Sequence, residues 1–227
     1  MDTMKKERKY GVRTAAGLPG IRAAAWLVCV LLTACMEAGV LHDGDLIFQA
    51  NEDGGFVDAI ENVTDGAWSH VGIIQLRADG VYVLEASPGQ GVVRTPLEAF
   101  LDASAHDAAG RAVVKVCRIR DLSAAEAAAA LGRAEVCLGR PYDYAFDPGT
   151  EALYCSELVY ESFRKEDGSY IFKANPMSFK GPDGKTDPYW IRYYERMERD
   201  IPEGVPGTNP NDLSRETVLV PVAWSAE

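Results

Sequence analysis

The sequence predicts an α+β fold. Segments rich in β-branched and aromatic residues crowd the first half of the chain. A long alanine-rich helix follows, and a second helix begins near Cys155 after a connector containing Pro, Gly and Asp. Strands first and helices later, without regular alternation, argue against a doubly wound sheet. No internal repeat is visible.

The elements follow in order. Gly44 to Ala50 (GDLIFQA) is a buried strand opened by a Gly-Asp turn. Trp68 to Leu76 and Val81 to Ser87 are two strands joined by the turn residues Arg77-Ala78-Asp79-Gly80, hence a hairpin. GVVRT adds a short strand, and PLEAFLDAS a short helix with Pro96 in its first turn. RAVVKVCRIR is a further strand. DLSAAEAAAALGRAEVCLG is the strongest helix signal: Ser123 and Glu126 form a capping-box pattern and Gly139 stops it. Arg140 to Tyr154 is the connector to the Cys155 helix. Residues 174–188 are loop-like, YWIRYYERMER is helical, and ETVLVPVAW is a last strand interrupted by Pro221.

The amino terminus has the pattern of an address. Six Lys/Arg against two acids give the first 34 residues a net charge of +4, which leaves −15 for residues 35–227 of a chain whose total is −11. The basic stretch runs into the apolar Ala23 to Leu32, too short for a comfortable membrane span and flanked as a secretory signal. Leu32-Thr33-Ala34-Cys35 resembles the bacterial lipobox, whose cysteine is lipidated and becomes the first mature residue. The expectation is a signal peptide over 1–34, a tether over 35–43, and one domain over 44–227, anchored to the cell envelope through a lipid on Cys35. Met36 rather than aspartate follows, so in a Gram-negative cell the outer membrane is the expected destination. The acidic body lacks the basic footprint of a nucleic-acid binder. The sequence sets no oligomeric state.

Chemistry-bearing residues are few. The body keeps Cys117, Cys137 and Cys155; an odd count leaves at least one free thiol, and a Cys117–Cys137 disulfide stays open. Cys117, in a strand, and Cys137, in a helix, have the surroundings of small core residues. Cys155 shares an apolar stripe with Leu158, Val159 and Phe163, as a core cysteine would. It also sits at a helix start, where unpaired N–H groups and the helix dipole favour a thiolate. Of three histidines, His42 falls in the tether and His106 in a polar loop, both surface settings. His70 lies in an apolar strand, where a satisfied core histidine and a general base are the alternatives.

Pairing Leu76 with Val81 places Glu85 opposite Gly72, on the face of His70 and diagonal to it. A turn at Asp79-Gly80 instead would move Glu85 opposite Ile74, farther from the imidazole. Other motifs fail. DGKTD lacks the phosphate-loop glycine, with Phe179 in its place, and no Gly-x-Ser-x-Gly elbow occurs. Three scattered histidines do not make a zinc pattern, so neither metal nor cofactor is expected.

GDLIFQ, WSHVGII, VLEA, GRPYDYAF and YCSELVY stand in an order and spacing that resembles the YiiX/YebB-like cysteine hydrolases. These are a circularly permuted, papain-like branch of the NlpC-type cell-wall peptidase superfamily. The resemblance covers Gly44 to Phe163, with a weaker echo in IPEGVPGTNP and LSRETVLV. It implies an antiparallel sheet packed against helices, Cys155 as nucleophile, His70 as base, Glu85 as third residue, and Tyr142 and Tyr154 lining the pocket. It further implies hydrolysis of an amide in cell-wall peptides. An acyl-lipid amidase or acyltransferase is the second reading, and a non-catalytic envelope-binding lipoprotein with an inert Cys155 is the third.

Overall fold

A computed structural model describes residues 39–52 and 54–225. The signal-peptide region and the lipobox Cys35 lie outside the described residues. The chain runs β1 (Leu46–Gln49), α1 (Gly55–Thr64), β2 (His70–Arg77), β3 (Gly80–Ser87), β4 (Gly91–Pro96), α2 (Leu97–Asp102), β5 (Val114–Ile119), α3 (Ala124–Val136), α4 (Cys155–Ser162), β6 (Asn175–Pro176), α5 (Pro188–Met197), β7 (Pro206–Gly207), α6 (Pro210–Ser214) and β8 (Leu219–Pro221). Six strands form one sheet in the order β4-β3-β2-β1-β5-β8, and every pairing is antiparallel.

The alternation along the strands decides what packs on each face. Leu46, Phe48, Val71, Ile73, Leu84 and Ala86 turn toward α3 and α4, joining Ala130, Ala134, Leu158 and Val159 in the main core. Ile47, Ile74, Val83 and Val116 form a second cluster with Phe100 of α2. A third cluster is aromatic: α1 and α5 meet through Ala59, Trp190, Tyr194 and Phe179, with Phe56 and Phe146 against them.

Several expectations can be compared directly. Ser123 caps α3 with the full reciprocal capping box to Glu126, and the helix ends at Val136, three residues before Gly139. Cys117 and Cys137 are free thiols. Pro96 is the N-cap of α2 rather than a residue of its first turn. The last strand stops at Pro221, which has no N–H to continue the ladder. Helix α1 was not anticipated: its apolar residues Phe56, Ala59, Ile60 and Val63 recur at helical spacing, but glycines at 54, 55 and 66 frame it as a loop. Residues 40–43, assigned to the tether, are bound to the body: Leu41 is buried, and Leu76 N–H donates to Asp43 Oδ1 at 2.7 Å.

The hairpin register settles the position of Glu85. Leu76 pairs with Val81 and Ile73 with Leu84, which sets Glu85 across from Gly72. Gly72 has no room for a side chain: an added Cβ would fall on Val83 Cγ1 and lie 3.2 Å from Leu84 O. Gly72→Ala should therefore destabilise the domain by about 1–3 kcal/mol through overpacking, read from urea unfolding midpoints at constant m-value. Unchanged stability would contradict this account of the β2–β3 contact.

Candidate active site

His70 is the first residue of β2 and Cys155 the first residue of α4. Both are 5% exposed. The pair is thus made between the starts of two elements far apart in sequence. His70 Nε2 lies 2.5 Å from Glu85 Oε2. The Cys155 side chain is its other polar neighbour, near enough to raise the imidazole pKa. Since Nε2 is taken by the carboxylate, Nδ1 is the nitrogen left for a thiol.

Glu85 is held in turn. Its Oε1 accepts a 2.5 Å hydrogen bond from Thr95 Oγ1. Thr95 is paired with Val83 and Glu85 with Val93 across β3–β4, so the threonine is the carboxylate's diagonal neighbour. Sequence reasoning missed Thr95; a polar residue on the strand beside Glu85 and of matching parity was the available signal.

The electrostatics follow from burial and pairing. Burial opposes a charge on His70, but the hydrogen bonds to Cys155 and Glu85 and the negative charges of both outweigh it, raising the imidazole pKa to about 10. For Glu85, burial favours the neutral acid; the His70 hydrogen bond and charge, then the Thr95 bond, prevail and lower its pKa. A charged imidazolium paired with the Glu85 carboxylate is therefore the resting arrangement at neutral pH. Asn51, Ser69 and Gln49 form a polar chain behind this pair. Ser69 Oγ donates to Asn51 Oδ1 at 2.9 Å, and Asn51 Nδ2 to Gln49 Oε1 at 3.1 Å.

Tyr142 and Tyr154 both line the cavity that carries Cys155. Tyr142 also belongs to the neighbouring cavity that holds His70 and Glu85. Burial, and then the negative charge of Cys155, push its phenol well above the usual range. Tyr154 is the N-cap residue of α4, and its hydroxyl accepts from Thr208 N–H at 3.2 Å, tying the helix start to the strand β7 region.

Further residues build the walls without having been foreseen. Asp143 Oδ1 and Oδ2 accept from Ala145 N–H and Asp147 N–H, shaping the connector. Phe146 takes a left-handed φ of 52°, uncommon for an aromatic residue, and sets its ring 5.3 Å from Tyr154 and 5.8 Å from Trp190. Tyr193 and Tyr194 of α5 donate to the carbonyls of Tyr144 and Ala145 and fasten that segment. Glu157, two residues after the thiol, is buried; desolvation raises its pKa to about 7, against the backbone N–H groups of Gly149 and Tyr154. His42 and His106 are exposed surface residues.

With this geometry in view, the chain was compared with known proteins. Residues 40–222 match the family model described as permuted papain-like amidase enzyme, YaeF/YiiX, C92 family. The uncharacterized protein YiiX of Escherichia coli K12 is 30% identical over 161 residues, covering 70% of this chain and 74% of that protein. A crystal structure of metalloprotein YiiX from Escherichia coli O157:H7 superposes with a TM-score of 0.66 at 26% identity, covering 81% of this chain and 98% of that one.

The raised His70 and lowered Glu85 pKa values have opposite pH signatures. His70 contributes stability that is complete below its unfolded value of 6.5 and is lost as pH rises through about 10. Glu85 contributes stability that is complete above 4.5 and is lost as pH falls through its depressed folded value. The stability gap between wild type and Glu85→Gln should thus be widest between pH 4.5 and 6.5 and narrow toward pH 10, measured by urea unfolding across a pH series. A gap that grows in alkali would contradict the charged pair. By NMR, the His70 ring should titrate far above 6.5, and Cys155→Ala should bring it down.

Proposed function

This chain belongs to the permuted papain-like amidases of the YaeF/YiiX family, and we propose that it is a cysteine amidase acting through Cys155, His70 and Glu85. One observation carries the reading: a single buried imidazole hydrogen-bonded to a carboxylate and neighboured by a buried thiol that acts on its pKa. That is the arrangement a thiol nucleophile needs, with a base to take its proton and a third group to orient the base.

In the proposed cycle, the proton that charges His70 is the one Cys155 has given up to Nδ1, and Glu85 holds the ring through Nε2. Sγ adds to the amide carbonyl carbon. The resulting oxyanion is met by the Cys155 N–H, which as the first of α4 has no acceptor within the helix. Tyr142, whose side chain lines both cavities at the reacting centre, supplies the second donor through its hydroxyl. The C–N bond then breaks as His70 returns its proton to the departing amine nitrogen. Water, deprotonated by His70, attacks the thioester carbon, the C–S bond breaks, and the proton passes back to sulfur as the acid leaves.

The name of the solved relative raises a metal. The donor set here does not fit a resident ion: among the described residues no three His, Cys, Asp or Glu side chains are placed to hold one. His70 already engages a carboxylate and a thiol in line, and no step above passes through a metal.

Cell-wall peptides are the first substrate reading, from the resemblance of the motifs and the export signal. An acyl-lipid amide is the second, favoured by the apolar walls of the Cys155 cavity. We place the enzyme on the envelope through a lipid on Cys35. No helix among the described residues is long and apolar enough to cross a membrane.

Purified protein incubated with wall fragments and with acyl-lipids, analysed by mass spectrometry, should release a free amine and a free acid from one of them. Cys155→Ala should abolish turnover, and His70→Ala should lower it by about 10²–10⁴-fold, the usual worth of general acid–base help. Undiminished turnover in either variant refutes the assignment.

A further inference from the structure

The reactive residues stand on the partition between two cavities of unlike character. Cys155 lines one. His70 and Glu85 line the other, the roomier of the two. Ile60, Ser69 and Tyr142 belong to both and form the shared wall. Acyl transfer decides which half of a substrate enters which space. The acyl carbon must bond to Sγ, whereas the departing nitrogen must lie beside the imidazole that protonates it. The acyl half therefore occupies the Cys155 cavity and the amine half the His70 groove.

The Cys155 cavity contains no charged side chain. Val63, Phe146, Met177, Phe179 and Trp190 make up much of its wall. A carboxylate or ammonium on the acyl half would lose its water there and find no counter-charge. Two hydroxyls in the same wall, Ser156 Oγ and Thr208 Oγ1, are buried and have no hydrogen-bond partner among the described residues. A bare hydrocarbon would leave both unmet, whereas a neutral donor or acceptor near the scissile carbonyl would satisfy them. The His70 groove is different. Gln49, Asn51, Ser87, Gln90 and Arg94 line it, and Arg94 is already engaged by Gln75 and Glu135.

We propose that the substrate is an amide whose acyl half is uncharged and largely apolar, with a neutral hydrogen-bonding group close to the carbonyl, and whose amine half is polar. This rests on the thiol reading above and specifies the substrate of the same site. An N-acylated apolar aminoacyl group and a 3-hydroxyacyl chain share this chemistry. An acidic aminoacyl group, attached through either of its carboxyls, does not.

The full chain in detergent would be treated with four acyloxymethyl ketones differing only in the acyl half: N-acetyl-leucyl, 3-hydroxydecanoyl, decanoyl and N-acetyl-glutamyl. Labelling of Cys155 is followed by intact mass. The leucyl or the hydroxydecanoyl probe should label at least about tenfold faster than the glutamyl probe, the scale of discrimination a pocket of this kind provides. Whichever of the two leads identifies a peptide or a lipid source. Hydroxydecanoyl should outpace decanoyl, and Thr208→Val or Ser156→Ala should shrink that margin. Glutamyl labelling as fast as the rest, or a Cys155 that reacts with iodoacetamide but with none of the four, overturns this inference and leaves the thiol reading standing. A Cys155 inert to iodoacetamide as well overturns both.

Discussion

The imidazole of His70 is buried, charged and hydrogen-bonded to Glu85 with Cys155 beside it, and the rest of the domain is arranged so that this is tolerable. Taking a cation and a carboxylate out of water is costly, and the cost is recovered only if geometry is good and every remaining polar atom is met. Glu85 is met by His70 on one oxygen and Thr95 on the other. That in turn demands the β2–β3 register observed, a glycine at 72, and β4 beside β3. A slip of one residue would turn Glu85 to the opposite face of the sheet and leave the imidazole without its carboxylate. Register here is as much an electrostatic requirement as a packing one.

The thiol reaches that imidazole through a second set of constraints. Helix α4 is short, and Leu158, Val159 and Phe163 bury its body in the main core, which leaves its first residue at the site. The connector ahead of it cannot wander. Asp143 folds it, Phe146 accepts a left-handed backbone to place its ring among Tyr154 and Trp190, and the hydroxyls of α5 hold its carbonyls. Strain at one aromatic residue beside the Cys155 cavity persists because the surroundings over-determine it. The same aromatic knot walls that cavity with rings and no charge, so the device that fixes the connector also sets the polarity of the cavity.

Much of this was legible in the sequence. Period-two patterning located the strands, Ser123 and Glu126 located the start of α3, and parity put Glu85 on the face of His70 before any register was known. Distance was not legible, because two turn choices fitted Arg77 to Gly80 equally well. His70 was expected inside its strand and is instead the first residue of β2, a difference that brings the ring to the strand end facing the start of α4. Helix α1 was hidden by its flanking glycines, although it supplies Ile60, Val63 and Thr64 to the cavity. Thr208, Asn209 and Pro210 complete that wall from the segment IPEGVPGTNP, whose resemblance to the family was weak. Residues that shape a cavity from loops carry no period, so local pattern cannot announce them.

The order of the elements explains why a permuted chain can hold such a site at all. None of its contacts is local: His70 and Glu85 are joined by sheet register, Thr95 by the next strand, and Cys155 by the packing of α4 on the sheet. Nothing in that arrangement depends on whether the histidine strand or the cysteine helix is made first. It depends on a core that fixes two element starts against each other, and a closed sheet–helix core does this whatever the position of the chain ends. The consequence is that the site shares the cooperativity of the whole domain. Its geometry should be lost when the core between α3, α4 and the sheet opens, even if β2 and β3 remain paired.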